Sequence, residues 1–244
     1  AALSSGVRSP ENEIAELPST VTRPALIVAA CILVVAGWLR FEGLTRGNFS
    51  EDPRRQNTFH SFHPDELSVI RTAISLGNPL TPELTVYGML PMYLFRASAE
   101  MASAVSGRSY LTVSRPDAKR RVHYLGRSIS AVVGCAVVLL VFLLGRRFFS
   151  ERAGLVGTAV VAFAPVAVQQ AHFFTVDGLY LLCLTAATFA ALAALESLQR
   201  KWFAFTGLFI GLTASVRLSG PLLGAVLAAV YLMLMRQRQS ESSL

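Results

Sequence analysis

Residues 125–177 read LGRSISAVVGCAVVLLVFLLGRRFFSERAGLVGTAVVAFAPVAVQQAHFFTVD, with two apolar runs divided by a basic turn and closed by a polar cluster. The runs, Ser128 to Leu144 and Ala153 to Ala171, are each close to the roughly 17 to 25 residues a helix needs to cross hydrocarbon. Such lengths bounded by Arg146, Arg147 and Arg152 predict membrane spans rather than core helices of a water-soluble domain.

Outward from this block the pattern repeats. Pro24 to Leu39, Val176 to Leu195 and Leu218 to Met235 are further apolar runs, and Trp202 to Val216 is a shorter one. Arg217, Gly220 and Pro221 follow it directly, which predicts a tight helical hairpin with a polar tip. The 244 residues are 53% hydrophobic and only 15% charged, against a globular norm near a quarter, so the expected class is all-α integral membrane with about six transmembrane helices. Frequent Gly and Ala in the runs suit close helix packing in lipid. Cys31, Cys135 and Cys183 each sit inside an apolar run, without the spacing of a zinc site or the even count of a disulfide framework, and read as packing residues. The net charge of +7 does not indicate nucleic acid, because the basic residues flank apolar runs and are not interleaved with aromatics on one face.

Short loops set the orientation, since retained positive charge marks the cytoplasmic side. The loop with Arg146, Arg147 and Arg152, the loop with Arg200 and Lys201, and the end with Arg236 and Arg238 fall on one face of a six-span arrangement. Residues 1–23 are then a flexible cytoplasmic tail, 24–235 the membrane module, and 236–244 a cytoplasmic end at which a longer chain is truncated. The opposite, external face carries one long loop, about residues 41–125. Within it, VYGMLPMYLFRASAEMASAVSG at 86–107 places Leu90, Leu94, Ala97, Met101 and Val105 at helical spacing, with Arg96 and Glu100 as an i, i+4 pair. That pattern, with Pro91 and two charges, predicts an interfacial helix and not a seventh span. The basic cluster from Arg108 to Arg127 either holds the loop near anionic headgroups or forms an ordinary solvated face.

The same loop contains TFHSFHPDELSVIRT at 58–72. Pro64 suits the first helical position, Asp65 and Glu66 the first turn, and Leu67, Ile70 and Ile74 one apolar face of a helix stopped at Gly77. Acidic residues there are favoured by the helix dipole without any function. Gln169, Gln170, His172 and Asp177 form a second polar group where the third and fourth spans meet, and parity puts them on the external side with Asp65. Ionisable residues at a bundle rim are functional candidates. The plainer alternatives are an N-cap region for Asp177, packing for His172 and an interfacial snorkelling side chain for Arg217.

On GWLRFEGL at 37–44, HPDE at 63–66, VYGMLPMYL at 86–94, the block at 125–177 and GLFIGLTASVRLSG at 207–220, the chain resembles GT-C glycosyltransferases. The similarity is to the protein O-mannosyltransferase and aminoarabinose transferase group, which use polyprenyl-phosphate-linked sugars. It implies a GT-C-like fold and an extracytoplasmic site in which Asp65 is catalytic base with Glu66 beside it. Asp177 would be a second acidic residue shaping the site. Transfer of a sugar to an acceptor hydroxyl would proceed with inversion, the base taking the proton and a cation meeting the phosphate. Arg217 is the external short-loop cation; His63, Tyr87 and His172 complete the expected substrate-binding set. The donor would be a polyprenyl-phosphate sugar, the acceptor a protein, lipid or glycan hydroxyl, and the setting a prokaryotic plasma membrane. No resident cofactor is implied, although His60, His63, Asp65, Glu66, His172 and Asp177 are ligand types compatible with a divalent ion. Two rivals are a transporter or flippase with a polar path lined by Asp65, Asp177 and Arg217, and a scaffold in which the carboxylates are only caps.

Overall fold

The computed structural model describes residues 22–46, 61–76 and 87–220, together with 222, 224–226, 229, 232 and 233. The expectations for most of the N-terminal tail, for the end after Met235, for the helix stop at Gly77, for His60 and for much of the last span fall outside these residues.

Among the described residues there are eight helices and no strand. They are α1 (Arg23–Phe41), α2 (Pro64–Ser75), α3 (Leu90–Ser106), α4 (Pro116–Phe148), α5 (Glu151–Phe163), α6 (Pro165–Ala171), α7 (Val176–Ser197) and α8 (Arg200–Val216). Helices α1, α4 and α7 are long and apolar enough to cross a membrane, and α5 with α6 forms a fourth candidate bent by 60°. The protein is therefore an integral membrane protein. Helix α8 has 17 residues, and the last of the six expected spans lies largely outside the described residues.

Two spans differ from their expected form. Helix α4 begins at Pro116, well before the apolar run at Ser128, and its 33 residues reach about 50 Å at 1.5 Å per residue. Hydrocarbon takes up only about 30 Å of that, so the helix extends beyond it at its N-terminal end and carries part of the basic cluster as helix rather than loop. Pro116 at the first position and an Asp117–Arg121 pair at i, i+4 support the extension.

The run Ala153 to Ala171 is broken, not continuous. Pro165 has no amide hydrogen, so the carbonyl of Val161 loses its helical donor and the chain turns. Arg40, buried near the end of α1, supplies the missing donors: its guanidinium bonds the carbonyls of Val161 at 3.0 Å and Ala162 at 3.1 Å. Replacing Arg40 by Leu in the full-length protein should cost about 3 kcal/mol, the worth of one or two hydrogen bonds to a charged group. In a Pro165→Ala background, where the helix regains its own donor, the cost should shrink. Thermal unfolding of the four variants in detergent checks this, and equal costs in both backgrounds would contradict it.

Packing elsewhere follows small residues. A Cβ added to Gly145 of α4 would lie 2.6 Å from the Cα of Gly154 in α5, so backbone meets backbone at that turn.

Helices α2 and α3 are packed against the bundle. Val69, Ile70 and Ala73 of α2, Met92, Phe95 and Ala99 of α3, Val122 of α4, Phe174, Val176 and Val216 form one buried cluster. Helix α3 thus turns Met92, Phe95 and Ala99 inward. The expected interfacial stripe is displaced: Ala97, Met101 and Val105 do face outward, joined by Tyr93, while Leu90 and Leu94 are half-buried. The Arg96–Glu100 pair forms, and Arg96 also bonds the carbonyl of Ile74 at 2.9 Å, tying α3 to the end of α2.

Candidate functional site

Helix α2 starts as its sequence demands. Pro64 is at the first position and His63 is the cap, its Nδ1 accepting the amide of Asp65 at 3.2 Å. His63 also lies against the ring of Phe173, 5.6 Å between centroids, so it acts here as a helix cap packed on an aromatic. The carboxylate of Asp65 points the other way and accepts a hydrogen bond from the Tyr87 hydroxyl to Oδ2 at 3.0 Å.

Glu66 has a different environment from its neighbour. It is fully buried, with Arg127 Nε at 2.7 Å from Oε1 and Nη2 at 2.9 Å from Oε2. Ser61 donates to Oε2 at 2.6 Å and the amide of Phe174 to Oε1 at 3.3 Å. Arg127 in turn donates to the carbonyls of Leu44, at 3.0 Å, and Arg46. Both carboxylate oxygens are engaged by protein donors, so Glu66, expected beside the catalytic base, has the surroundings of a structural ion pair. The pair fastens α2 to α4, to the exit of α1 and to the α6–α7 connection. Arg127 therefore also leaves the headgroup-facing cluster in which its sequence position put it.

Asp177 lies in the first turn of α7 and Arg217 directly after α8. They form an ion pair, Nη2 to Oδ1 at 3.0 Å, with side chains 41% and 38% exposed. A pair this open contributes little to stability and can exchange partners. The Arg217 guanidinium is 5.9 Å from the ring centroids of both Tyr87 and Tyr180, at the edge of cation–π range. Ser219 donates to the Tyr180 hydroxyl at 3.3 Å. Asp65, Tyr87, Arg217 and Asp177 thus form one connected network drawn from α2, the segment entering α3, the end of α8 and the head of α7.

His172 does not join it. The ring nitrogens lie 2.7 Å from the carbonyls of Val168 and of Glu42, so the side chain ties α6 to the chain leaving α1. It lines a cavity of about 600 Å³ with Leu39, Phe62, Phe163 and Phe173, and neither aspartate borders that larger space. Asp177 instead lines a smaller cavity of about 140 Å³ with Arg40, Ser130 and Gln170. The larger cavity is lined by Arg46 and by Arg127, which is committed to Glu66, but by no carboxylate, whereas the network brings two half-buried carboxylates together with a partly exposed cation.

Among the described residues no three His, Cys, Asp or Glu side chains are placed to hold a metal ion. The divalent-ion set read from sequence is dispersed, with Glu66 turned to Arg127, His63 capping α2 and His172 bonding backbone. Sequence reasoning overlooked the pairing of Arg127 with Glu66 and the presence of Tyr180. Tyr180 had a local signal, since it follows Asp177 at i+3 and so shares its helix face.

The helix arrangement is that of a GT-C-type membrane fold. Residues 123–243 match the family model described as dolichyl-phosphate-mannose-protein mannosyltransferase. Among solved structures, the chain is similar to the S. cerevisiae protein O-mannosyltransferase Pmt1–Pmt2 complex bound to the sugar donor, with a TM-score of 0.61 and 19% identity. That match covers 85% of this chain and 28% of the yeast chain. No curated protein matches by sequence. The resemblance to GT-C glycosyltransferases of the protein O-mannosyltransferase group thus has support from the family model in sequence and from the yeast complex in fold.

Proposed function

We propose that the chain is the site-bearing membrane part of a glycosyltransferase that moves a sugar from a polyprenyl-phosphate donor to an acceptor hydroxyl on the extracytoplasmic side. The observation that carries this proposal is the meeting of Asp65 with Arg217 and Asp177 through Tyr87. A base and a phosphate-binding cation, remote in sequence, stand together at one end of the bundle.

The reaction requires two things of the protein. The acceptor O–H must lose its proton as its oxygen attacks the anomeric carbon, and Asp65 is the carboxylate placed to take it. The bond from that carbon to the donor phosphate breaks with its electrons passing to phosphate oxygen. Arg217 meets the resulting charge by exchanging Asp177 for the phosphate. No general acid is needed, because phosphate leaves without protonation once its charge is compensated. Attack opposite the leaving group inverts the anomeric centre. The polyprenyl tail remains in hydrocarbon while sugar and phosphate reach the level of the helix ends. The basic α4–α5 turn, with Arg146, Arg147 and Arg152, lies at the other end of α4 from this network, which supports an extracytoplasmic site. The names of the matched family and of the yeast complex favour a mannosyl phospholipid donor and a protein acceptor.

The test uses the full-length protein in membranes with a panel of polyprenyl-phosphate sugars, product being followed by mass spectrometry. A new glycosidic bond is expected from at least one donor; movement of donor across the bilayer without a new bond would replace the transferase by a flippase. Arg217→Gln should raise the apparent donor KM roughly tenfold or more, the worth of a charge-assisted hydrogen bond. Arg217→Lys, which keeps charge but loses the fork, should fall between. An unchanged donor KM in Arg217→Gln would remove Arg217 from the phosphate site.

A further inference from the structure

Tyr87 touches both halves of the network at once, and the backbone beside it explains why. The amide of Gly88 donates to the carbonyl of Val216 at 3.0 Å, satisfying an oxygen that the end of α8 leaves without a helical partner. A Cβ on Gly88 would sit 2.0 Å from the Ser215 carbonyl oxygen and 2.3 Å from its carbon, so only glycine allows this close approach. The segment entering α3 is thereby pressed against the tip of α8. Its next side chain back, Tyr87, lies between Asp65 on one side and Arg217 on the other.

Each part of the phenol ring has a separate partner. The hydroxyl donates to Oδ2 of Asp65 at 3.0 Å. The ring face is 5.9 Å from the Arg217 guanidinium, and Tyr180 offers a second face at the same distance. The hydrogen bond to Asp65, with some loss of solvent and the charge of that carboxylate, holds the phenol above its ordinary range, so at neutral pH it remains a donor.

We infer that Tyr87 is a positioning residue with two separable tasks: its hydroxyl occupies Oδ2 of Asp65 so that Oδ1 receives the acceptor proton, and its ring holds Arg217 at the donor phosphate. The inference rests on the transferase function proposed above. It adds which oxygen acts as base and what couples the base to the phosphate-binding cation. A carboxylate free to rotate offers either oxygen in many orientations, whereas one fixed by a hydrogen bond presents its remaining oxygen in a narrow set. The same side chain keeps a mobile guanidinium from swinging into solvent, which requires an aromatic face and not a hydroxyl.

Tyr87→Phe and Tyr87→Ala therefore separate the two tasks in the full-length protein, with Asp65→Asn as reference. Tyr87→Phe should lower kcat roughly tenfold or more with donor KM unchanged, since the ring stays and one hydrogen bond to a charged group is lost. Tyr87→Ala should lower kcat as much and raise donor KM about two- to fivefold, matching the loss of an exposed cation–π contact. Gly88→Ala, which pushes the segment off α8, should reproduce Tyr87→Ala. Thermal midpoints in detergent identify any variant that merely unfolds, and Phe at 87 preserves the packing volume. A wild-type kcat in Tyr87→Phe beside an inactive Asp65→Asn would overturn the hydroxyl's task alone. Equal donor KM in the Phe and Ala variants would overturn the ring's task. An active Asp65→Asn would instead refute Asp65 as base, whatever Tyr87 does.

Discussion

Asparagine at position 65 is expected to abolish sugar transfer while leaving the protein folded. The substitution is isosteric, the His63 cap is made to the backbone amide and survives, and the Tyr87 hydroxyl can still donate to the amide oxygen. Helix α2 loses one favourable charge at its N-terminus, about 0.3 to 1 kcal/mol. What disappears is the carboxylate proposed as proton acceptor. General base catalysis contributes roughly 10² to 10⁴-fold, and that is the expected fall in single-turnover rate at saturating donor. Donor binding should change little, because Arg217 and Asp177 remain. Asp65→Glu retains a base but moves it by a methylene, so a partial loss is expected there. A rate in Asp65→Asn within about threefold of the parent would exclude the carboxylate as base, since that is far below the usual general-base contribution.

The second large effect lies one residue further on and is of another kind. Glu66→Gln or Arg127→Met leaves a buried charge without its partner, which typically costs 3 to 5 kcal/mol, so a fall of roughly ten degrees or more in thermal midpoint is expected. Arg127 also serves the carbonyls of Leu44 and Arg46, so its loss should loosen the exit of α1 as well as α2. Replacing both members by apolar residues of similar volume should recover much of the loss, because the desolvation penalty of the pair vanishes with it. The informative contrast is between neighbours: Asp65 variants should lose rate at constant stability, and Glu66 variants should lose activity in proportion to unfolding. If Glu66→Gln were fully stable and catalytically dead, Glu66 would return to the reaction.

The different fates of these two carboxylates show what sequence can and cannot convey. Pro64, with Asp65 and Glu66 behind it, fixes the start of α2 because proline and acidic side chains both suit a helix N-terminus. That same local logic treats the two acids alike. Their divergence comes from Arg127, 61 residues away, which looks like one more member of a basic run until α4 is seen to carry it inward. Apolar length alone was enough for α1, α4 and α7, and span parity grouped Asp65 with Asp177, which meet in one network through Tyr87 and Arg217. Hydropathy could not reveal that α4 starts at Pro116, because its first turns are charged and stabilised by side-chain pairs. Nor did the apolar run through Pro165 show its bend, since composition is unchanged across the break. His172 was the reverse case: a ligand-type side chain in a polar cluster whose nitrogens are taken up by backbone oxygens.

Arg40 bears on how the protein is made. It is synthesised 121 and 122 residues before the carbonyls that will receive it, Val161 and Ala162. Until α5 emerges from the ribosome, α1 carries a guanidinium that lacks these two tertiary acceptors, a burden of about 2.5 to 3.5 kcal/mol if held at the hydrocarbon centre. Its place in the last turn of α1 lets it reach water at the surface in the meantime. The order of synthesis thus separates this charge from its acceptors by most of the described chain, and its position in the last turn of α1 keeps it within reach of the membrane surface until the broken span is made.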